Sequence, residues 1–93
     1  MNQTGTVRLT VQQVRYLSGL IATDSSFAEL VRSNPNIQLG QDGIALDRTD
    51  AAMLSDYFND RLAQVGFYES YEPNDEGAML ESLIDALFLF IAQ

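Results

Sequence analysis

The chain contains no cysteine, no histidine and no lysine. Those gaps exclude a disulfide framework, a thiol nucleophile and a Cys/His zinc site. They also remove the imidazole base, the Schiff-base amine and the phosphate-holding lysine of a P-loop. All positive side-chain charge rests on Arg8, Arg15, Arg32, Arg48 and Arg61, and none lies beyond Arg61. Long apolar runs are missing too: the most apolar stretch, residues 86–92, is far too short to span a bilayer. Residues 1–5 are polar and uncharged, and Arg8, Gln12, Gln13 and Arg15 break the first apolar stretch, so no secretory leader is expected. The expected location is the cytoplasm.

At 93 residues and 46% apolar content, the composition predicts a single domain over residues 1–93, with a core that needs no disulfide or metal. The net charge of -8 is unevenly placed: residues 1–61 carry seven acids against five arginines, and residues 62–93 carry six acids and no cation. Such a field repels nucleic acid and anionic lipid, and it speeds encounter with a basic protein. Plain solubility is the competing explanation of an acidic surface.

Hydropathy and turn residues set the expected order of elements. Val7 and Leu9 alternate around Arg8 as in a half-buried strand. Thr10-Val11-Gln12-Gln13 has the pattern of a capping box, followed by a helix with Val14, Leu17, Leu20 and Ile21 on one face. Thr23 and Asp24 end it and cap a second helix that turns Phe27, Leu30 and Val31 inward. Asn34-Pro35 stops that helix. The runs 37–39 and 44–46, separated by Gly40-Gln41-Asp42-Gly43, predict a β-hairpin. Asp47 to Asp50 repeats the capping logic. The next helix carries Leu54, Tyr57, Phe58, Leu62 and Val65 on one stripe and Asp56, Asn59 and Asp60 on the other. The stretch from Val7 to Gln13 echoes that from Ile44 to Asp50: each reads strand, cap, helix, with Leu17 and Leu54 at matching offsets. Two copies are too few for a stacked repeat architecture.

Phe67 to Pro73 is expected as a loop, and Asn74 or Asp75 as the cap of a final helix with Leu80, Leu83, Ile84, Leu87 and Ile91 inward. Ala86, Phe88, Leu89, Phe90 and Ala92 leave its last two turns apolar all round, so this helix is either the central one of the bundle or pairs with another copy, with Phe88, Leu89 and Phe90 as the expected contacts of a homodimer. The resulting fold class is α+β: a small three-stranded sheet, made of the N-terminal strand plus the hairpin, with about four helices in the order β-α-α-β-β-α-α.

Few chemistries fit. Glu72, Asn74, Glu76 and Gly77 match the opening of a calcium loop, but Leu83 occupies the position where a bidentate Glu is required. The pairs Asp56/Asp60 and Glu81/Asp85 each share a helix face at i, i+4 and could in principle hold two metals or act as acid and base. Such pairs are more often the solvated side of an amphipathic helix, and a chain this short offers little room for a cleft. The arginines form no patch and no RNA-binding aromatic signature is present. An acidic face could instead imitate DNA towards a DNA-binding protein, a variant of protein binding. The segment from Phe67 to Glu76 is a better candidate, since tyrosine supplies contact area at low entropy cost while carboxylates orient a basic partner.

Arg61-Leu62, Val65-Gly66-Phe67, Tyr71-Glu72-Pro73, Glu76-Gly77, Leu80-Glu81 and Leu83-Ile84-Asp85 together resemble a pattern found in small uncharacterised bacterial proteins. The likeness covers residues 60–87, under a third of the chain, and implies no activity. By composition alone, a small, acidic, cofactor-free α+β chain is similar to immunity proteins that neutralise toxins. It implies an inhibitor and assigns no residues.

The sequence therefore predicts a non-enzymatic binding module, with no cofactor and no metal, that occludes a basic site on a partner protein such as a toxin. Its expected contacts are Tyr68, Glu69, Tyr71, Glu72 and Glu76, with Asp56 and Asp60 on an adjoining face. The alternative is a structural homodimer assembled through the terminal helix, followed by a carboxylate-dependent metalloenzyme.

Overall fold

Strand β1 (Gly5–Arg8) leads into helix α1 (Val11–Thr23), helix α2 (Ser25–Ser33), strands β2 (Gln38–Leu39) and β3 (Gly43–Leu46), and helices α3 (Arg48–Val65) and α4 (Asp75–Ile91). This computed structural model describes residues 4–65 and 74–92. The fold is α+β in the expected β-α-α-β-β-α-α order, with one antiparallel sheet of strand order β1-β3-β2. The chain divides into two compact units, Met1–Asp50 and Ala51–Gln93.

In the first unit, β3 is the central strand. Val7 stands opposite Ile44 and Gly5 opposite Leu46, while Leu39 faces Ile44 from the other side. Directly opposed residues share a sheet face, so alternation sends Val7, Ile44 and Leu46 inward and Thr6, Arg8 and Gln38 outward. Leu17, Leu20, Phe27 and Ile37 complete the buried apolar set of this unit. Ile21, expected on the inward face of α1, is 37% exposed, because the burial of that helix centres on Gln13, Leu17 and Leu20.

Gly43 shows why the sheet closes only with glycine at one point. It pairs with Arg8 as the first residue of β3, and a Cβ there would lie 2.3 Å from the Val7 carbonyl oxygen. The sequence assigns this glycine to a turn; its role is to let β1 approach. The turn itself closes through Gly40 N–H to the Gly43 carbonyl at 2.8 Å, and Leu9 N–H donates to the Asp42 carbonyl at 2.8 Å.

Helix ends in this unit are closed by neighbouring side chains. Thr10 and Gln13 form the reciprocal capping box: Gln13 N–H donates to Thr10 Oγ1 at 3.1 Å, and Thr10 N–H to Gln13 Oε1 at 2.8 Å. Asp24 closes α1 through its N–H to the Leu20 carbonyl, and its Oδ1 accepts from Ser26 and Phe27 to start α2. Asn34 Nδ2 donates to the Leu30 carbonyl at 2.7 Å, ending α2 just before Pro35. Asp50 N–H donates to Asp47 Oδ1 at 2.8 Å, so β3 enters α3 through the same kind of cap by which β1 enters α1.

The second unit contains the remainder of α3 and all of α4. Ala51, Leu54 and Phe58 are buried on α3, and Leu80, Leu83 and Leu87 on α4, in each case at the i, i+3/i+4 spacing of an inward stripe. Val65 ends α3 at 38% exposure rather than inside. No helix among the described residues is long and apolar enough to cross a membrane.

Candidate partner-binding surface

The acidic surface is built on the second unit. Counting acids against arginines, residues 1–50 hold five against four, while residues 51–93 hold eight against Arg61 alone. Arg61 Nε donates to Glu76 Oε2 at 2.9 Å, with both side chains about three-quarters or two-thirds withdrawn from solvent (25% and 31% exposed). Glu76, expected as a partner contact, is thus engaged by the last cation of its own chain. Sequence reasoning missed this pair because fifteen positions separate its members.

Asp56 and Asp60 are exposed one helical turn apart on α3, the face expected for them. Asp75, Glu81 and Asp85 are exposed on α4. Tyr68, Glu69, Tyr71 and Glu72 fall in residues 66–73 and lie outside the described residues, as does the first position of the calcium-loop match. Among the described residues there is no group of three or more acids placed to hold a metal ion.

The two chain ends that flank residues 66–73 are fixed by Asn74. Its Oδ1 accepts from Gly77 N–H at 2.7 Å, capping α4, and its Nδ2 donates to the Val65 carbonyl at 2.8 Å, capping the end of α3. One amide therefore satisfies an orphan donor of one helix and an orphan acceptor of the other. Asp75 and Glu76 follow in the first turn of α4, where negative charge is favoured by the helix dipole.

Of the residues expected at a dimer contact, Phe88 is 65% exposed and Leu89 66%, while Phe90 is half-buried. Helical phase separates them: Phe90 follows Leu83 by seven residues and Leu87 by three, on the buried side of α4, while Phe88 and Leu89 fall on the side of Glu81 and Asp85.

The first unit offers different material. The outward sheet face, with Thr6, Arg8, Gln38 and Ala45, floors an open depression of about 510 Å³ whose ionisable side chains are Arg8 and Asp42. A carboxyl with a displaced pKa also lies in this unit: Asp50, which is 5% exposed. Burial raises that pKa, the Asp47 backbone N–H works against the rise, and the charge of Asp47 adds to it. Asp50 serves as a cap residue rather than as part of a cleft: its Oδ2 lies 3.5 Å from the Asp47 N–H that it accepts.

No family model, curated protein or solved structure matches the chain.

Proposed function

We propose that the chain is a non-enzymatic protein-binding module whose acidic second unit occludes a basic site on another protein, as an immunity-type inhibitor does. One observation supports this reading above others. Negative charge is concentrated in one unit, where the single arginine is engaged by Glu76 and Asp56, Asp60, Asp75, Glu81 and Asp85 are exposed. Solubility would be served equally well by charge spread over both units. Concentration in one unit instead gives the molecule a directed field, which raises the on-rate towards a cationic surface and disfavours acidic partners. Tyr68 and Tyr71 would add aromatic contact area to this field, and Glu69 and Glu72 further negative charge.

The test is capture from native cell extract with the chain immobilised, at low and at raised salt. Wild type should retain a basic protein whose association slows as salt rises. The double reversals Glu69→Lys/Glu72→Lys and Asp56→Lys/Asp60→Lys should each slow that association and flatten its salt dependence, with circular dichroism unchanged. Retention of the same protein at the same rates by both variants would rule the reading out.

A further inference from the structure

The solvent side of α4 changes chemistry along its length. Residues 78, 81, 85, 88, 89 and 92 are exposed, and at 3.6 residues per turn they fall within about 100° of arc. Leu80, Leu83 and Leu87 occupy the opposite, buried side. The earlier part of the exposed arc presents Glu81 and Asp85. One turn further on come Phe88 and Leu89, the two most exposed large apolar side chains among the described residues.

Neither half of this stripe asks for a partner by itself. Acids at i, i+4 are ordinary solvated surface, and scattered apolar residues on a surface are common. Their succession is what has a specific complement. Phe88 and Leu89 give adjacent rings and methyls for an apolar contact, and Asp85 and Glu81 sit one and two turns away to receive cations. No cation occurs anywhere in α4 to neutralise them from within.

Charge selects among the occupants. A second copy brings another α4 without a cation, on a unit with eight acids and one arginine, so copy-to-copy contact sets like charge against like. An anionic membrane is repelled for the same reason. A protein segment with apolar residues on one helical face and Arg or Lys one and two turns along satisfies both halves.

We infer that the stripe Glu81, Asp85, Phe88 and Leu89 is a docking surface for a cationic amphipathic segment of a partner protein. The inference rests on the reading of the second unit as a partner-binding surface. It adds an apolar anchor roughly 20 Å along α4 from Asp75, at 1.5 Å of rise per residue.

The experiment uses the full chain and a synthetic 18-residue peptide (a length of about five turns) with leucine at i, i+3 and i+7 and arginine flanking them. A peptide of the same composition, scrambled to break the stripe, is the control, and both are titrated at about physiological salt. The striped peptide should bind more tightly than the scrambled one. Phe88→Ser/Leu89→Ser should weaken it by about tenfold or more, the scale of losing a buried anchor. Glu81→Lys/Asp85→Lys should weaken it and flatten its salt dependence. Equal binding of the two peptides, or no effect of the Phe88/Leu89 pair, would reduce the interaction to bulk charge and overturn the inference. So would sedimentation of the wild type as a dimer that Phe88→Ser/Leu89→Ser converts to a monomer, since a second copy would then cover the stripe. Reversal of Glu69 and Glu72 should change peptide binding less than the Phe88/Leu89 pair does, so the two proposals can fail separately.

Discussion

The two halves of this chain use carboxylates in opposite ways. In the first unit, Asp24 caps α2, Asp47 and Asp50 cap α3, and Glu29 lies 3.6 Å from Arg32, so four of five acids have a local structural partner. In the second, Glu76 is engaged by Arg61 while Asp56, Asp60, Asp75, Glu81 and Asp85 are exposed. Asp24, Asp47 and Asp50 accept hydrogen bonds at helix starts, whereas Asp75, also in a first turn, is exposed and leaves the cap to Asn74. An acid on the outer arc of a long helix is available to the surroundings. Charge counts alone do not separate these fates; whether the carboxylate itself accepts a bond from its own chain does.

If the halves differ in charge and not in how well they are packed, truncating a core ring should cost about the same in each. Phe27 and Phe58 are both 1% exposed, and Phe27→Ala and Phe58→Ala should each cost about 3–5 kcal/mol in urea unfolding. A loss below about 1 kcal/mol for either would mean that its half is loosely packed, and the comparison would fail. Gly43→Ala probes the sheet of the first half, where the new methyl meets the Val7 carbonyl. A cost of about 1–3 kcal/mol is expected, and tolerance would show that β1 can shift away from β3.

Asn74 sharpens the account of the second half. Asn74→Asp keeps an acceptor for Gly77 N–H and loses the donor to Val65, whereas Asn74→Ala loses both. The alanine variant should be destabilised by about 1–2 kcal/mol and the aspartate variant by clearly less. Equal losses would mean that the bond to Val65 contributes nearly all of the stabilisation and the bond from Gly77 little.

The smallest effect concerns pH. Burial raises the Asp50 pKa above its ordinary 3.8, opposed by the Asp47 N–H and reinforced by the Asp47 charge. A raised carboxyl pKa means the folded chain holds this proton more tightly than the unfolded chain. The stability it contributes is present below the unfolded value and is lost as pH rises from 3.8 through the folded value. Asp50→Asn should therefore lose less stability than wild type over that rise, measured as urea midpoint against pH. Parallel profiles would show that Asp50 ionises without penalty.

What can be read from the sequence is local. The Thr10/Gln13 box, the Asp24 cap, the hairpin and the Asn74 cap each depend on residues a few positions apart, where side-chain geometry is nearly fixed by spacing. What escapes depends on distance along the chain. The placement of β3 between β1 and β2, the reason for glycine at position 43 and the pairing of Arg61 with Glu76 all require knowing which remote segments meet. The echo between residues 7–13 and 44–50 reads in sequence as simple reuse of a motif. It also brings Val7 and Ile44 together as direct cross-strand partners, and each strand then enters a helix through a side-chain cap. The proposed site is half legible: the stripe of Leu80, Leu83 and Leu87 sets the side on which Phe88 and Leu89 fall, but whether another part of the chain covers that side depends on tertiary packing.

Asn74 and the Arg61 to Glu76 pair tie the end of α3 to the start of α4. Links of this kind close the chain between two helices at a cost in entropy that grows only slowly with the number of residues enclosed, about 0.6 kcal/mol for each doubling. Under the proposed function, insertions between the two helices would therefore alter recognition at that small cost.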